Sequence, residues 1–254
     1  MSTGTGTRTG TVTRALFVNE ARLMSRTPAA IIFPVLFPVI GAIVIAAIPA
    51  ARQPLEPFGG FSVAQTYIPV LVIFALTSLA LTVMPQIVGS YRELGVLKRL
   101  RTTPASPGAL LTAVVGLMAA VSTVVTLIMV LVPAALGVGL PGNTAVFALM
   151  TVLSMLAFLA LGAMLAAVIP SSRVASGIGS AVSVVMWFFA GLWFPRAQFP
   201  DWLLVIADLT PGGAAARGML DATLGAAVGW QPIAVLVGWT LLGVAVAVRT
   251  FRWE

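Results

Sequence analysis

The sequence predicts an all-α polytopic membrane protein: six transmembrane helices, an N-terminal interfacial helix, and two short re-entrant outer helices between spans five and six. Three observations lead there. Of 254 residues, 59% are hydrophobic and only 8% charged, whereas average soluble chains are about 25% charged. Mean hydropathy is +1.08, so a soluble domain would lack the polar residues to cover its surface. The apolar residues also run continuously instead of alternating, which excludes a membrane β-barrel.

Residues 1–13 are rich in Thr and Gly and read as a disordered tail. Residues 14–254 read as a single transmembrane domain. Within Arg14–Arg26, Leu16, Phe17, Leu23 and Met24 recur at helical spacing, apart from Asn19, Arg22 and Arg26. That pattern predicts an interfacial helix over 14–26; a basic flank ahead of the first span fits the same residues. The first apolar run is of full span length, which favours a retained helix over a cleaved signal.

A spanning helix needs about 20 apolar residues at about 1.5 Å per residue. Six stretches qualify: Pro28–Ile48, Tyr67–Gly89, Gly108–Leu136, Ala145–Ile169, Val174–Phe194 and Trp230–Val248. None contains Asp, Glu, Lys or Arg. The third exceeds the required length, so it tilts or ends early near Pro133. Eleven of the fourteen Lys and Arg residues lie in the N-terminus, the loop at 90–107, the turn at 170–173 and the C-terminus; only Arg52, Arg196 and Arg217 lie opposite. The positive-inside rule then makes both termini cytoplasmic, in a bacterial inner membrane.

Residues 195–229 face outward yet are apolar for a loop. Pro200 suits a helix start, with Asp201 in the first turn, where a carboxylate is favoured. Pro211, Gly212 and Gly213 break that helix, and a second follows to about Leu224. Each piece is too short to span, so the pair dips back into the membrane. Trp187, Phe188, Phe189, Trp193 and Trp202 cluster here as an interfacial aromatic belt. In span five, Ser172, Ser176 and Ser180 recur every fourth residue beside Gly177, a small-residue face for close helix contact, within one subunit or between two.

The chain has no His and no Cys. That removes thiol catalysis, Ser–His–Asp chemistry and the usual zinc and haem ligands, and no metal site is expected. Asp201, Asp208 and Asp221 all lie in the outward segment and read as helix-end or surface residues; no catalytic residue is assigned. The net charge of +7 is distributed for membrane topology and lipid contact; no nucleic-acid partner is expected. Charge-free spans argue against an ion-coupled transporter. The phosphate-binding loop Gly-x-x-x-x-Gly-Lys-Ser/Thr is absent, since the sole lysine, Lys98, sits between Leu97 and Arg99. Energy for uphill transport would come from another chain.

The loop at 90–107 is where such a chain could dock. Leu94, Leu97 and Leu100 follow a helical rhythm ended at Thr103-Pro104. An apolar edge with charged flanks suits a partner's groove; a positive-inside loop without a partner has the same pattern.

At this loop the sequence resembles the permease subunits of the ABC transporter type-2 exporter family. Their Arg-Glu pair, Gly-Thr-Leu-Glu-Arg-Leu stretch and Thr-Pro are matched by Arg92-Glu93, Gly95-Val96-Leu97-Lys98-Arg99-Leu100 and Thr103-Pro104. Val96 replaces the usual threonine, and Lys98 reverses the charge of the usual glutamate. A second match is Gly191 to Pro195, then Phe199-Pro200-Asp201-Trp202, Leu209-Thr210-Pro211 and Arg217.

The resemblance implies a homodimer or heterodimer of permease subunits over two ABC ATPase subunits, which would bind the ATP and Mg; this chain itself would hold no cofactor. The helix at 91–101 would be the coupling helix in an ATPase cleft, with Glu93 touching the ATPase and Arg92, Leu94, Gly95, Leu97, Lys98, Arg99 and Leu100 around it. The pathway would run along spans two and five, where Thr77, Thr82, Gln86, Ser176, Ser180 and Ser183 supply the few polar groups. Such a lining implies export of a hydrophobic or amphipathic compound, drug-like or lipid-like. The alternatives are a polysaccharide or glycolipid cargo, or a membrane anchor or sensor that transports nothing.

Overall fold

The structure, a computed structural model, describes residues 17–18, 21–22, 32–96 and 107–250. Eight helices organise the described chain: α1 (Phe37–Ala47), α2 (Val63–Glu93), α3 (Pro107–Pro133), α4 (Thr144–Val168), α5 (Ser172–Ala190), α6 (Asp201–Leu209), α7 (Pro211–Thr223) and α8 (Trp230–Thr250). The only strands among the described residues are a two-residue antiparallel pair, Pro54–Leu55 with Phe61–Ser62, between α1 and α2. Five helices (α2, α3, α4, α5 and α8) are long and apolar enough to cross a membrane. The protein is therefore an all-α polytopic membrane protein. The shorter Ile32–Ala47 helix is the described part of the first expected span; the start of that span at Pro28 lies outside the described residues.

The expected tail at 1–13 also lies outside them, as does most of the expected interfacial helix. Its four described residues are helical. Phe17 and Ala21, one turn apart, pack on the core, while Val18 and Arg22 are exposed, the division an amphipathic helix requires.

Helix α2 is the axis of the molecule: 89% of its most apolar stretch is buried, against 28% for α5 and 22% for α8. It starts four residues before the expected Tyr67, because Ser62 and Gln65 form a capping box. The Ser62 hydroxyl accepts from the Gln65 amide at 3.1 Å, and the Gln65 side chain accepts from the Ser62 amide at 3.0 Å. Halfway along, Ser78–Val83 winds as a π-helix. Two glycines meet this segment: a Cβ at Gly162 of α4 would overlap the Ala80 carbonyl oxygen, and one at Gly179 of α5 would overlap that of Leu81. Only Gly lets these helices close on α2 so tightly. On the far side of α4, Gly243 brings α8 against Ala160 in the same way.

Two boundaries correct the sequence-based expectation and a third meets it. Span five ends at Ala190, not Phe194, because Gly191 turns left-handed at φ 93°, with its amide bonded to Phe188 O and the Leu192 amide to Trp187 O. Pro211, Gly212 and Gly213 do not break a helix; they are the first turn of α7. The break is at Thr210, whose hydroxyl caps α7 by accepting from the Gly213 amide at 3.1 Å. Both glycines are needed for contact, Gly212 against Met186 and Gly213 against Ala207. Third, α3 gives way at Pro133 to a π-helical turn over Ala134–Val138, the early ending that its excess length suggested.

Candidate functional site

The described part of the loop at 90–107 begins as the end of α2 and then breaks. Gly95 adopts φ 67°, so no continuous helix runs over 91–101: α2 stops at Glu93, and Leu94 stands out, 70% exposed. The lack of a Cβ at Gly95 is what permits this stop. Leu97, Lys98, Arg99, Leu100 and the Thr103-Pro104 helix end lie outside the described residues.

Arg92 and Glu93 both reach the α4–α5 turn. Arg92 Nη1 donates to the Ile169 carbonyl, just past α4, at 3.2 Å. The Glu93 carboxylate accepts from the Ser172 amide through Oε1 and from the Ser172 hydroxyl through Oε2, each at 2.8 Å. It thus caps α5 from another helix, where unpaired amides and the helix dipole favour a negative charge. Glu93 lies four residues past Gly89, where the charge-free run expected as the second span ends. The Ser172 amide, the Ser172 hydroxyl and the nearby Arg173 hold its carboxyl below the usual carboxylate range. Beneath it, a Cβ on Gly89 would lie 2.6 Å from Ser172 Cα.

The serine stripe of α5 faces α2 within the same chain. Ser172 meets Gly89, and the Ser180 hydroxyl lies 3.4 Å from that of Thr82. Gly177 is exposed and has open space where its Cβ would be, so it takes no part in this contact. Thr77 and Ser183 are fully buried. The Ser183 hydroxyl bonds to Gly179 O at 2.8 Å. Thr77 donates to Ile73 O at 2.8 Å and accepts from the Trp187 indole N–H at 2.7 Å. Neither lines open surface in this conformation; Thr82, Ser176 and Ser180 are half-buried and Gln86 is exposed. Trp187 itself faces inward, stacked on Phe74 at 4.1 Å between ring centres, and so is not part of an interfacial belt. Trp193 and Trp202 are exposed and remain candidates for one.

The segment at 195–229 holds a charge cluster that sequence reasoning missed. Asp208 stands at the end of α6 but is not a surface residue. It is buried and ion-paired to both Arg196 and Arg217. Arg196 also donates to Phe189 O, at the end of α5, at 2.8 Å. Arg217 of α7 donates to Gln231 Oε1 of α8 at 3.2 Å. One carboxylate therefore ties α5, α6, α7 and α8 together, a pairing that offsets the cost of burying these charges. The available signal was charge in an otherwise apolar segment: two of the three outward cations flank Asp208. Pro200 caps α6, and Asp201, in its first turn, is exposed, away from this cluster. Gly191 closes α5 against the Arg196 side chain, and Pro195 turns the chain toward it. The other end of α7 is fixed by backbone bonds from Gly142 and Asn143 to Thr223 O and Ala222 O, both 2.9 Å.

Residues 11–224 match the family described as ABC-2 type transporter. The chain belongs to that family. None of the curated proteins matches it. As an ABC-2 type transporter, it is the membrane subunit of an ABC transporter, a multi-pass permease and not an ATPase, of a family that works with an ABC ATPase subunit.

Proposed function

We propose that this ABC-2 permease exports a hydrophobic or amphipathic compound, drug-like or lipid-like, as one half of a permease dimer driven by a separate ATPase. The observation that carries the substrate class is the outer surface of α5, the least enclosed long helix after α8. Val174, Ile178, Val184, Val185 and Phe188 are exposed there, and the hydroxyl of Ser183 is turned inward onto the helix backbone. A sugar polymer would find few partners on such a surface, whereas an apolar solute loses water on meeting it. The outward segment would dip into the outer leaflet as a re-entrant pair. Both termini would be cytoplasmic, in a bacterial inner membrane. The excess of Lys and Arg in the N-terminus, the loop at 90–107, the turn at 170–173 and the C-terminus supports that orientation.

The loop after Glu93 is the proposed ATPase dock. Its exposed Leu94 and broken backbone give a partner an apolar projection to enclose. The test is transport by the purified complex in proteoliposomes. Export of a lipid-like dye, with a charged glycan left behind, supports the reading. Equal transport of the glycan overturns the substrate class, and ATP hydrolysis without export of either favours the anchor or sensor role.

A further inference from the structure

Helices α2 and α5 are joined at three levels along almost the whole of α5. Glu93 holds Ser172 by two hydrogen bonds. Further in, Thr82 meets Ser180 and the Leu81 carbonyl lies on Gly179. Further still, Trp187 bonds to Thr77 and stacks on Phe74. Steric contact without free volume transmits displacement, because packed helices shift as bodies before they deform. Glu93 is the last residue of α2, two residues before the left-handed Gly95, so it is also the point where a pull on the loop enters the bundle.

We propose that Glu93 is a positioning residue of the transport cycle: it acts through Ser172 and the first turn of α5, so that displacement of the following loop moves α2 and α5 as one body. This rests on the reading of that loop as the ATPase dock. A Glu93 that instead touched the ATPase by charge would leave Ser172 idle. The two cases differ in what a neutral replacement does. Gln keeps the length of Glu and both contacts, since its oxygen accepts from the Ser172 amide and its NH2 donates to the Ser172 hydroxyl. Ala keeps neither.

The test uses the permease–ATPase complex in proteoliposomes and reads solute moved per ATP hydrolysed, with Glu93→Gln, Glu93→Ala, Ser172→Ala and the Ala/Ala double variant. Glu93→Ala is expected to lower the ratio roughly tenfold, the scale of a charge-assisted contact. Glu93→Gln stays within about threefold of the parent, on the same scale, and the double variant is no worse than Glu93→Ala. A Gln variant as impaired as the Ala variant, beside an unaffected Ser172→Ala, overturns the proposal.

A second measurement depends on neither transport nor these variants. The chain has no cysteine, so Thr82→Cys with Ser180→Cys gives a single disulfide between α2 and α5. The disulfide is expected to form equally with and without trapped ATP. Failure to form, or a yield that changes with nucleotide, means that the helices slide and ends the proposal. A parent complex that hydrolyses ATP without moving solute counts against the export reading instead, and the cross-link yields then decide this one.

Discussion

Gly179 of α5 lies directly against the carbonyl oxygen of Leu81, with no room between them for a Cβ. The contact falls on the π-helical stretch of α2. There the widened turn presents carbonyl groups sideways, and Gly162 of α4 takes the Ala80 carbonyl in the same manner. The axis of the bundle is thus closed by two glycines on one irregular turn, a feature often found where helices bear function.

Gly179→Ala and Gly162→Ala should each destabilise the protein. An Ala gains about 1 kcal/mol of helix propensity over Gly, but the added methyl meets backbone that cannot rotate away, and overpacking costs about 1–3 kcal/mol or more. Gly177→Ala, with open space around it, should be neutral or slightly stabilising. Apparent melting temperatures in detergent check this; equal effects at 177 and 179 would contradict the packing.

Asp208→Asn should be the most damaging single change in the outer segment. It leaves Arg196 buried without its anion, and breaking a buried pair costs about 3–5 kcal/mol. The exposed Asp201 is the control, since its Asn variant should stay within about 0.5 kcal/mol of the parent. Thermal unfolding of the two variants side by side decides the point.

Trp187 and Thr77 should show coupling in a double-mutant cycle. With Trp187→Phe, Thr77→Val and the pair, the interaction free energy should come out near 1 kcal/mol, the net worth of one hydrogen bond. Additive losses would mean that the indole N–H does not engage the Thr77 hydroxyl.

The Glu93 cap makes a pH prediction with a definite sign. Its folded-state carboxyl ionises below the usual range, so the cap contributes fully above the unfolded value, about 4.3 for Glu. That contribution is lost as pH falls through the lower folded value. Carbon NMR of labelled glutamate, with Glu93→Gln to assign the signal, should find a midpoint below about 4.3. Ser172→Ala should move it upward.

Much of this fold was legible because hydrocarbon imposes one rule on every span: charge-free length. All five long helices begin and end within four residues of the apolar runs, and the two short helices sit where Pro200 and Pro211 mark them. What escaped was set by tertiary contact. Hydropathy reads Gly212 and Gly213 as helix breakers, yet beside Met186 and Ala207 they are required for packing. Asp208 resembles a surface residue until Arg196 and Arg217, twelve residues before and nine after it, fold onto it. Glu93 was legible as a motif position, but its partner lies 79 residues away, and no local pattern announces a cap given by another helix. Gly95 shows the same limit: the leucine rhythm runs straight through it, while α2 stops two residues before it.

If the proposed function holds, this six-run apolar body moves solute only when an ABC ATPase works on it. ATP-dependent solute uptake into inside-out vesicles tests it most directly, with the permease alone and with its co-purified ATPase subunit. Uptake against a gradient is expected with both chains present, and none with the permease alone. Uphill uptake by the permease alone would contradict it.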